Sequence, residues 1–333
     1  MEKHNEKSNQ YTKLQLETFY QLVKTKDVKS LSALIETANF IGIFQGENNP
    51  IILLAKEGDY ESVEFLINKF KANLNPAVRG AAHGCHLEFM NELIERGANI
   101  DYAAWGAACG GHVELTNELI NQGASLDFSA YGAAQGGHIK LTNNLIERGA
   151  KLDYAVWGAA FGGHTEFTNE LISNGASIHN AVHGAASGGY VELTQELISH
   201  GANLSNAVQG AAFGGHVALT NDLIARGASI DHAANGAASG GNVALINDLV
   251  LRGANVKQAL WGAWNADHNI STQENALSFI SFIDSFELRT LLAEKAKKTV
   301  ELLDTKVLLE QATKLNQLMR ENKLTYKQAQ EYQ

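Results

Sequence analysis

The feature that most constrains this chain is a period. From Gly80 to Trp261 it consists of seven consecutive copies of one 26-residue unit, 182 residues in all. The unit from Gly106 reads GAACGGHVELTNELINQGASLDFSAY, and the next, from Gly132, reads GAAQGGHIKLTNNLIERGAKLDYAVW. Glycine opens every copy, at Gly80, Gly106, Gly132, Gly158, Gly184, Gly210 and Gly236, and Gly262 opens an eighth that degenerates. A unit this short cannot bury its own apolar face and must cover it with its neighbours, so a fixed period in this range specifies a solenoid.

Each unit reads as helix, Gly-Gly turn, helix, Gly turn. In the copy around Trp157, Asp153 is placed as the N-cap of a short inner helix that stops at Gly162-Gly163, where a positive φ costs nothing. His164 leads into a second helix from Thr165 to Ser173, with Phe167, Leu171 and Ile172 at core spacing, and Gly175 ends it. The expected fold is all-α, a right-handed α-solenoid of stacked helix-turn-helix repeats closed by helical caps.

The flanks divide accordingly. Residues 1–12 read as a disordered tail. Residues 13–79 read as an N-terminal cap with degenerate units, its first helix pair marked by Leu14, Leu16, Phe19, Leu22 and Val23, then Val28, Leu31, Leu34 and Ile35. In the better-formed unit of residues 48–75, Pro50 suits a first helical turn and Gly58 separates two helices; Asn75-Pro76 then reads as cap and first turn of the next. The seven repeats occupy 80–261. Residues 262–333 read as a degenerate repeat, ending near Trp264, followed by a helical C-terminal cap.

Composition narrows the partners. The formal net charge is −10, and residues 80–261 hold most of it, with 7 basic against 16 acidic residues. An acidic surface disfavours phosphate backbones and anionic lipid, so no nucleic acid and no membrane is expected. No uninterrupted apolar run approaches the roughly 20 residues of a membrane span. The polar start, MEKHNEKSNQYTK, lacks the apolar core of a Sec-type signal. Cys85 and Cys109 read as reduced thiols. The expectation is a soluble, cytoplasmic chain, with export into a host cell open only by a non-Sec route.

The anchor residues carry a family resemblance. Ala107-Ala108, Gly111-His112, Glu114-Leu115, Leu119-Ile120, Gly123-Ala124 and Leu126-Asp127 resemble the ankyrin repeat, and the likeness covers roughly residues 48–264. Ankyrin units run about 33 residues and open a helix with T-P-L-H. Here the link from the Asp to the Ala-Ala pair is seven residues shorter, which corresponds to the projecting β-hairpin. The resemblance therefore implies a hairpin-less array whose recognition falls on the inner helices.

Comparing copies within the chain locates the candidate site. Most inner-helix positions stay Ala, Val or Gly, while three vary, at spacings of three and four that share one face. Along the array these give a partner-binding face of Arg79, Tyr102, Trp105, Phe128, Tyr131, Gln135, Tyr154, Trp157, Phe161, Asn180, His183, Asn206, Gln209, Phe213, His232, Asn235 and Trp261. The face is aromatic in its first half, rich in amide and imidazole in its second, and free of Asp, Glu and Lys. Tyr, Trp and Arg dominate binding hot spots. The competing reading is that these rings pack between units of a tightly curved array.

Other motifs point to structure. His86, His112, His138, His164, His216 and His268 each follow the Gly pair or the residues in its place (Gly84-Cys85 before His86, Ala266-Asp267 before His268), with Tyr190 and Asn242 in two units. Successive rungs stand a repeat apart, too far for a shared ion bound at about 2 Å, so they are expected to hydrogen-bond turn backbones rather than a metal. The recurring Thr-Asn pairs, such as Thr116-Asn117, read as structural hydrogen bonds, and Glu114/Glu118 as a solvated face. The Gly pairs follow no strand and precede no Lys, so they are not phosphate loops. No catalytic set, cofactor site or metal site is expected.

The chain reads as a non-enzymatic, monomeric scaffold that grips a protein segment or domain in the inner-helix groove. Near-identical units and a helical extension resemble ankyrin-type effectors of intracellular bacteria, which act on host proteins. The alternatives are an adaptor or inhibitor of another bacterial protein, and a groove for a small polar ligand or glycan.

Overall fold

The computed structural model describes residues 13–35, 49–70, 72–255, 258–259 and 262. The chain divides into a compact unit from Met1 to Gly262 and a second from Ala263 to Gln333, which lies outside the described residues. The expected tail at 1–12, Trp261, His268 and the C-terminal helices also lie outside them.

Eighteen helices and no strand are found among the described residues. They run in pairs: α1 (Lys13–Lys24) with α2 (Val28–Ile35), α3 (Pro50–Glu57) with α4 (Tyr60–Phe70), and α5 (Leu74–His83) with α6 (Leu87–Glu95). The regular array continues as α7 (Ile100–Cys109), α8 (Val113–Asn121), α9 (Leu126–Gln135), α10 (Ile139–Glu147), α11 (Leu152–Phe161) and α12 (Thr165–Ser173). It goes on through α13 (Ile178–Ser187), α14 (Val191–Ser199), α15 (Leu204–Phe213), α16 (Val217–Ala225), α17 (Ile230–Ser239) and α18 (Val243–Leu251). From α3 on, odd-numbered inner helices pack directly on the next inner helix, and each even-numbered outer helix packs on its own inner partner. This is an α-solenoid of stacked helix pairs.

Glycine and alanine set the inner spacing. At Gly132 a Cβ would fall on the Trp105 carbonyl oxygen of the preceding unit, and at Gly210 on that of His183. The constant Ala pairs, such as Ala133-Ala134 and Ala211-Ala212, are buried or nearly so throughout. The outer helices contribute one fully buried leucine per unit, among them Leu93, Leu119, Leu145, Leu171, Leu197 and Leu223. The turn between helices uses a residue at positive φ, Gly111 at 76° for example; Cys85 takes that place at 60° in the α5–α6 pair.

The caps fall elsewhere than the sequence suggests. The N-cap of α11 is Lys151, and Asp153 is the second helical residue. Its carboxylate instead accepts the Ser177 amide of the next unit, at 2.8 Å. Likewise Asn73, not Asn75, caps α5, accepting the Asn75 amide at 2.7 Å, while Asn75 accepts the Asn99 amide at 2.8 Å. Asp101, Asp127 and Asp231 repeat this 24-residue reach at 2.7, 2.8 and 2.7 Å. A single-helix pattern cannot separate the two roles, because both place a short acceptor at the helix start. The Pro50 reading holds: Asn49 caps α3, accepting the Ile51 amide at 2.9 Å, with Pro50 in the first turn.

The histidine ladder is a row of bonds between units. The Nε2 atoms of His112, His138, His164 and His216 lie 2.9, 3.0, 2.9 and 2.8 Å from the carbonyls of His83, Cys109, Gln135 and Ser187. Those carbonyls end the preceding inner helix, where backbone acceptors lack intrahelical donors. Asn242 does the same job with its amide, at 2.8 Å from both Ala212 and Phe213. Thr116, Thr142 and Thr168 of the Thr-Asn pairs, and Thr194 before Gln195, are buried and donate back four residues to the carbonyls of His112, His138, His164 and Tyr190, whereas the buried Thr220 hydroxyl meets no partner among the described residues. Asn117 and Asn221 accept from Arg148 and Arg252 of the next unit, both at 2.6 Å.

Candidate functional site

The variable positions of the inner helices form parallel rows, because stacked units repeat each position 26 residues on. The middle row is a ladder of touching side chains. The Arg79 guanidinium lies over the Trp105 ring, 3.5 Å from its centroid. Trp105 meets Tyr131 edge-on at 5.1 Å, Tyr131 meets Trp157 at 5.3 Å, and Trp157 meets His183 at 5.4 Å. Edge-to-face rings at such separations are mutually attractive beyond their burial. Arg79 is only 6% exposed and Tyr131 8%, whereas Trp105, Trp157 and His183 are half-buried. The middle row thus packs between units at some rungs and shows an edge at others.

The row at the start of the helices is more open. Tyr102, Phe128 and Tyr154 are half-buried, with ring centroids 6.4 and 6.2 Å apart. Asn180 and Asn206 continue it, and His232 is exposed. In the third row Gln135, Phe161 and Phe213 are half-buried, Phe161 lying 6.3 Å from Tyr131 and Phe213 6.1 Å from His183. Beyond His183 the ladder changes chemistry: Gln209 donates to Asn235 at 2.9 Å, and Asn235 to the Gln258 carbonyl at 3.1 Å. The structure therefore brings the sequence-selected residues from Arg79 to Asn235 onto one continuous face; Trp261 lies outside the described residues.

Two tryptophans in equivalent places differ in one atom's environment. Trp105 donates Nε1–H to Gln135 Oε1 at 2.7 Å. At Trp157 the residue in the Gln135 position is Ser187, which is shorter and turns its hydroxyl to the His183 carbonyl at 2.7 Å. The Trp157 Nε1 is buried and meets no hydrogen-bond acceptor among the described residues. An indole N–H withheld from water without an acceptor costs on the order of 1–3 kcal/mol.

Two imidazoles, His183 and His83, are held neutral. Burial pushes His183 down to about 4. Burial, with the nearby positive charges of Lys56 and Arg79, pushes His83 down to about 4. A face of rings, amides and imidazoles can stack and exchange hydrogen bonds. Among the described residues no three His, Cys, Asp or Glu gather as a metal site requires. None of the described helices is long and apolar enough to cross a membrane. Cys85 is exposed and Cys109 half-buried.

One set of polar residues escaped the sequence reading. Asp101, Asp127 and Asp153 flank the open aromatic row, each directly before Tyr102, Phe128 or Tyr154. Their repetition was visible, but their link to the next unit depends on stacking.

No family model matches the chain, and no curated protein does. Among solved structures it is similar to the crystal structure of the human ASB11 ankyrin repeat domain, with 24% identity over 53% of this chain and 96% of that one, and a TM-score of 0.28. The described helices form an α-solenoid of stacked helix pairs, and its recurring anchor residues resemble those of the ankyrin repeat.

Proposed function

We propose that the array is a non-enzymatic, monomeric scaffold that binds a protein segment along the variable face of its inner helices. The observation that carries this reading is the ladder from Arg79 through Trp105, Tyr131 and Trp157 to His183, bordered by the half-buried rings of Tyr102, Phe128 and Tyr154. Rigid, mutually supported rings lose little conformational freedom on binding and offer large apolar area. The amide half from Asn180 to Asn235 supplies donors and acceptors for a segment's backbone. Residues 13–79 serve as N-terminal cap with degenerate units. The bound protein is a host protein reached after delivery from an intracellular bacterium; a partner within the bacterium is the alternative.

The test is capture of partners by the full chain against Trp105→Ala and Trp157→Ala, with Tyr102→Ala and Tyr154→Ala as milder changes at the open edge. Loss of a hot-spot ring lowers affinity by about tenfold or more. Recovery of the same proteins in the same amounts by all four variants sinks the reading. Thermal stabilisation by sugars, with no protein recovered, supports a glycan groove in its place.

A further inference from the structure

The open aromatic row contains a cation subsite that the chain itself demonstrates one unit further on. Lys151 projects from the start of α11 and its Nζ lies 3.1 Å from Asp127 Oδ2. The same ammonium stands 5.7 Å from the Tyr154 ring centroid, within reach of a cation–π attraction. Asp127 is fixed for this task, because its other oxygen accepts the Lys151 amide at 2.8 Å. Phe128 closes the second side, its ring 6.2 Å from that of Tyr154.

The preceding unit repeats every part of this cleft except the lysine. Asp101 Oδ1 accepts the Ser125 amide at 2.7 Å, as Asp127 accepts that of Lys151. Phe128 takes the place of Tyr154, and Tyr102 that of Phe128, with ring centroids 6.4 Å apart. Ser125 stands where Lys151 stands, and its hydroxyl accepts the Phe128 amide at 3.4 Å, too short to reach the ring. No other described unit holds all of these parts, and His179 and Ser205 take the carboxylate's place in two of them. Asn75 brings no charge beneath Tyr102, and Asp153 and Asp231 face Asn180 and Gln258 rather than a ring.

We propose that the cleft formed by Asp101, Tyr102 and Phe128 binds a lysine or arginine side chain of the protein segment that lies on the inner-helix face. The inference rests on the segment-binding reading above and adds one requirement to it, a cation beside the anchoring apolar residues. The excess of acidic over basic residues across 80–261 favours such a segment on approach.

The test titrates the full chain with N-acetyl-lysine N-methylamide and, in parallel, with its uncharged norleucine counterpart, following the Ser125 amide and Phe128 ring by NMR. The lysine probe alone is expected to shift these resonances. Asp101→Asn, which keeps an amide acceptor as Asn75 does for Asn99, weakens the lysine probe by about fivefold. Ser125→Lys fills the cleft from within and removes the shift. Equal shifts from norleucine, no shift in this cleft, or lysine shifts that survive both variants overturn the proposal. If capture of a partner depends on Trp105 and Trp157 but ignores both Asp101→Asn and Ser125→Lys, the subsite fails and the segment-binding face stands. If the cleft responds as expected while no capture depends on the tryptophans, the segment-binding reading fails and the cation subsite stands.

Discussion

The two halves of the inner-helix face share a backbone and differ in chemistry. From α7 to α11 the middle row stacks Trp105, Tyr131 and Trp157, whereas α15 and α17 put Gln209 and Asn235 in the same row and join them by one amide bond. Beneath both, the close approach is identical: Gly132 and Gly210 each face a carbonyl oxygen of the preceding unit, and the Ala pairs beside them are buried. The difference teaches that small residues and the histidine ladder hold the stack. The row above them is then free to be aromatic or polar without altering the fold, which is the condition for a recognition surface on a repeat scaffold.

The largest effect tests the shared part. Gly132→Ala and Gly210→Ala should each cost about 4 kcal/mol, since the new methyl meets backbone that cannot step aside. Urea unfolding followed by circular dichroism reads both; a cost under about 1 kcal/mol in either half breaks the claim that close approach holds the stack.

The next tests separate the halves. Tyr131→Ala removes a buried ring that touches Trp105 and Trp157, and should cost about 3 kcal/mol. Gln209→Ala removes one amide contact and should cost about 0.5 kcal/mol. Equal costs in the same unfolding assay would mean that the aromatic half carries no more packing than the polar half.

His183 stands where the two chemistries meet, between Trp157 and Phe213. An unfolded histidine titrates near 6.5, while in the folded chain His183 and His83 are held down to about 4 by burial. As pH falls from 6.5 towards 4, the unfolded chain takes up protons that the folded chain refuses, so stability falls across that window. The loss is at most about 3 kcal/mol for each imidazole, and smaller where water reaches the ring. His183→Asn should flatten the dependence of the urea midpoint between pH 7 and 4.5; an unchanged slope would remove His183 as its source.

The smallest effect is the most specific. Trp105→Phe deletes the donor to Gln135 and should cost about 1 kcal/mol beyond the lost ring area. Trp157→Phe deletes a buried N–H that has no acceptor among the described residues, so the same chemical change should cost less or stabilise. Thermal midpoints that move equally for both variants would refute the asymmetry.

Much of this was legible without coordinates. The helix pairs and the turn at Gly111 follow from residues within one unit, where spacings of three and four and a positive φ have local causes, and the 26-residue period together with the recurrence of His112 pointed to bonds with turn backbones between units. Which inner-helix positions vary was legible too, since copies of the unit act as controls for one another. What the sequence could not assign were partners 24 to 30 residues away. Asp153 looks like a cap and instead holds the Ser177 amide. Trp105 and Trp157 look equivalent, yet one is satisfied by Gln135 and the other meets Ser187 already turned to a carbonyl. Arg79 and Tyr131 sit in the exposed pattern but are buried by their neighbours. These outcomes depend on how closely one unit stacks on the next, a distance set by glycines against carbonyls across the interface. That is why local pattern determined the unit, and only tertiary stacking decided which side chains it buries, pairs or leaves at the surface.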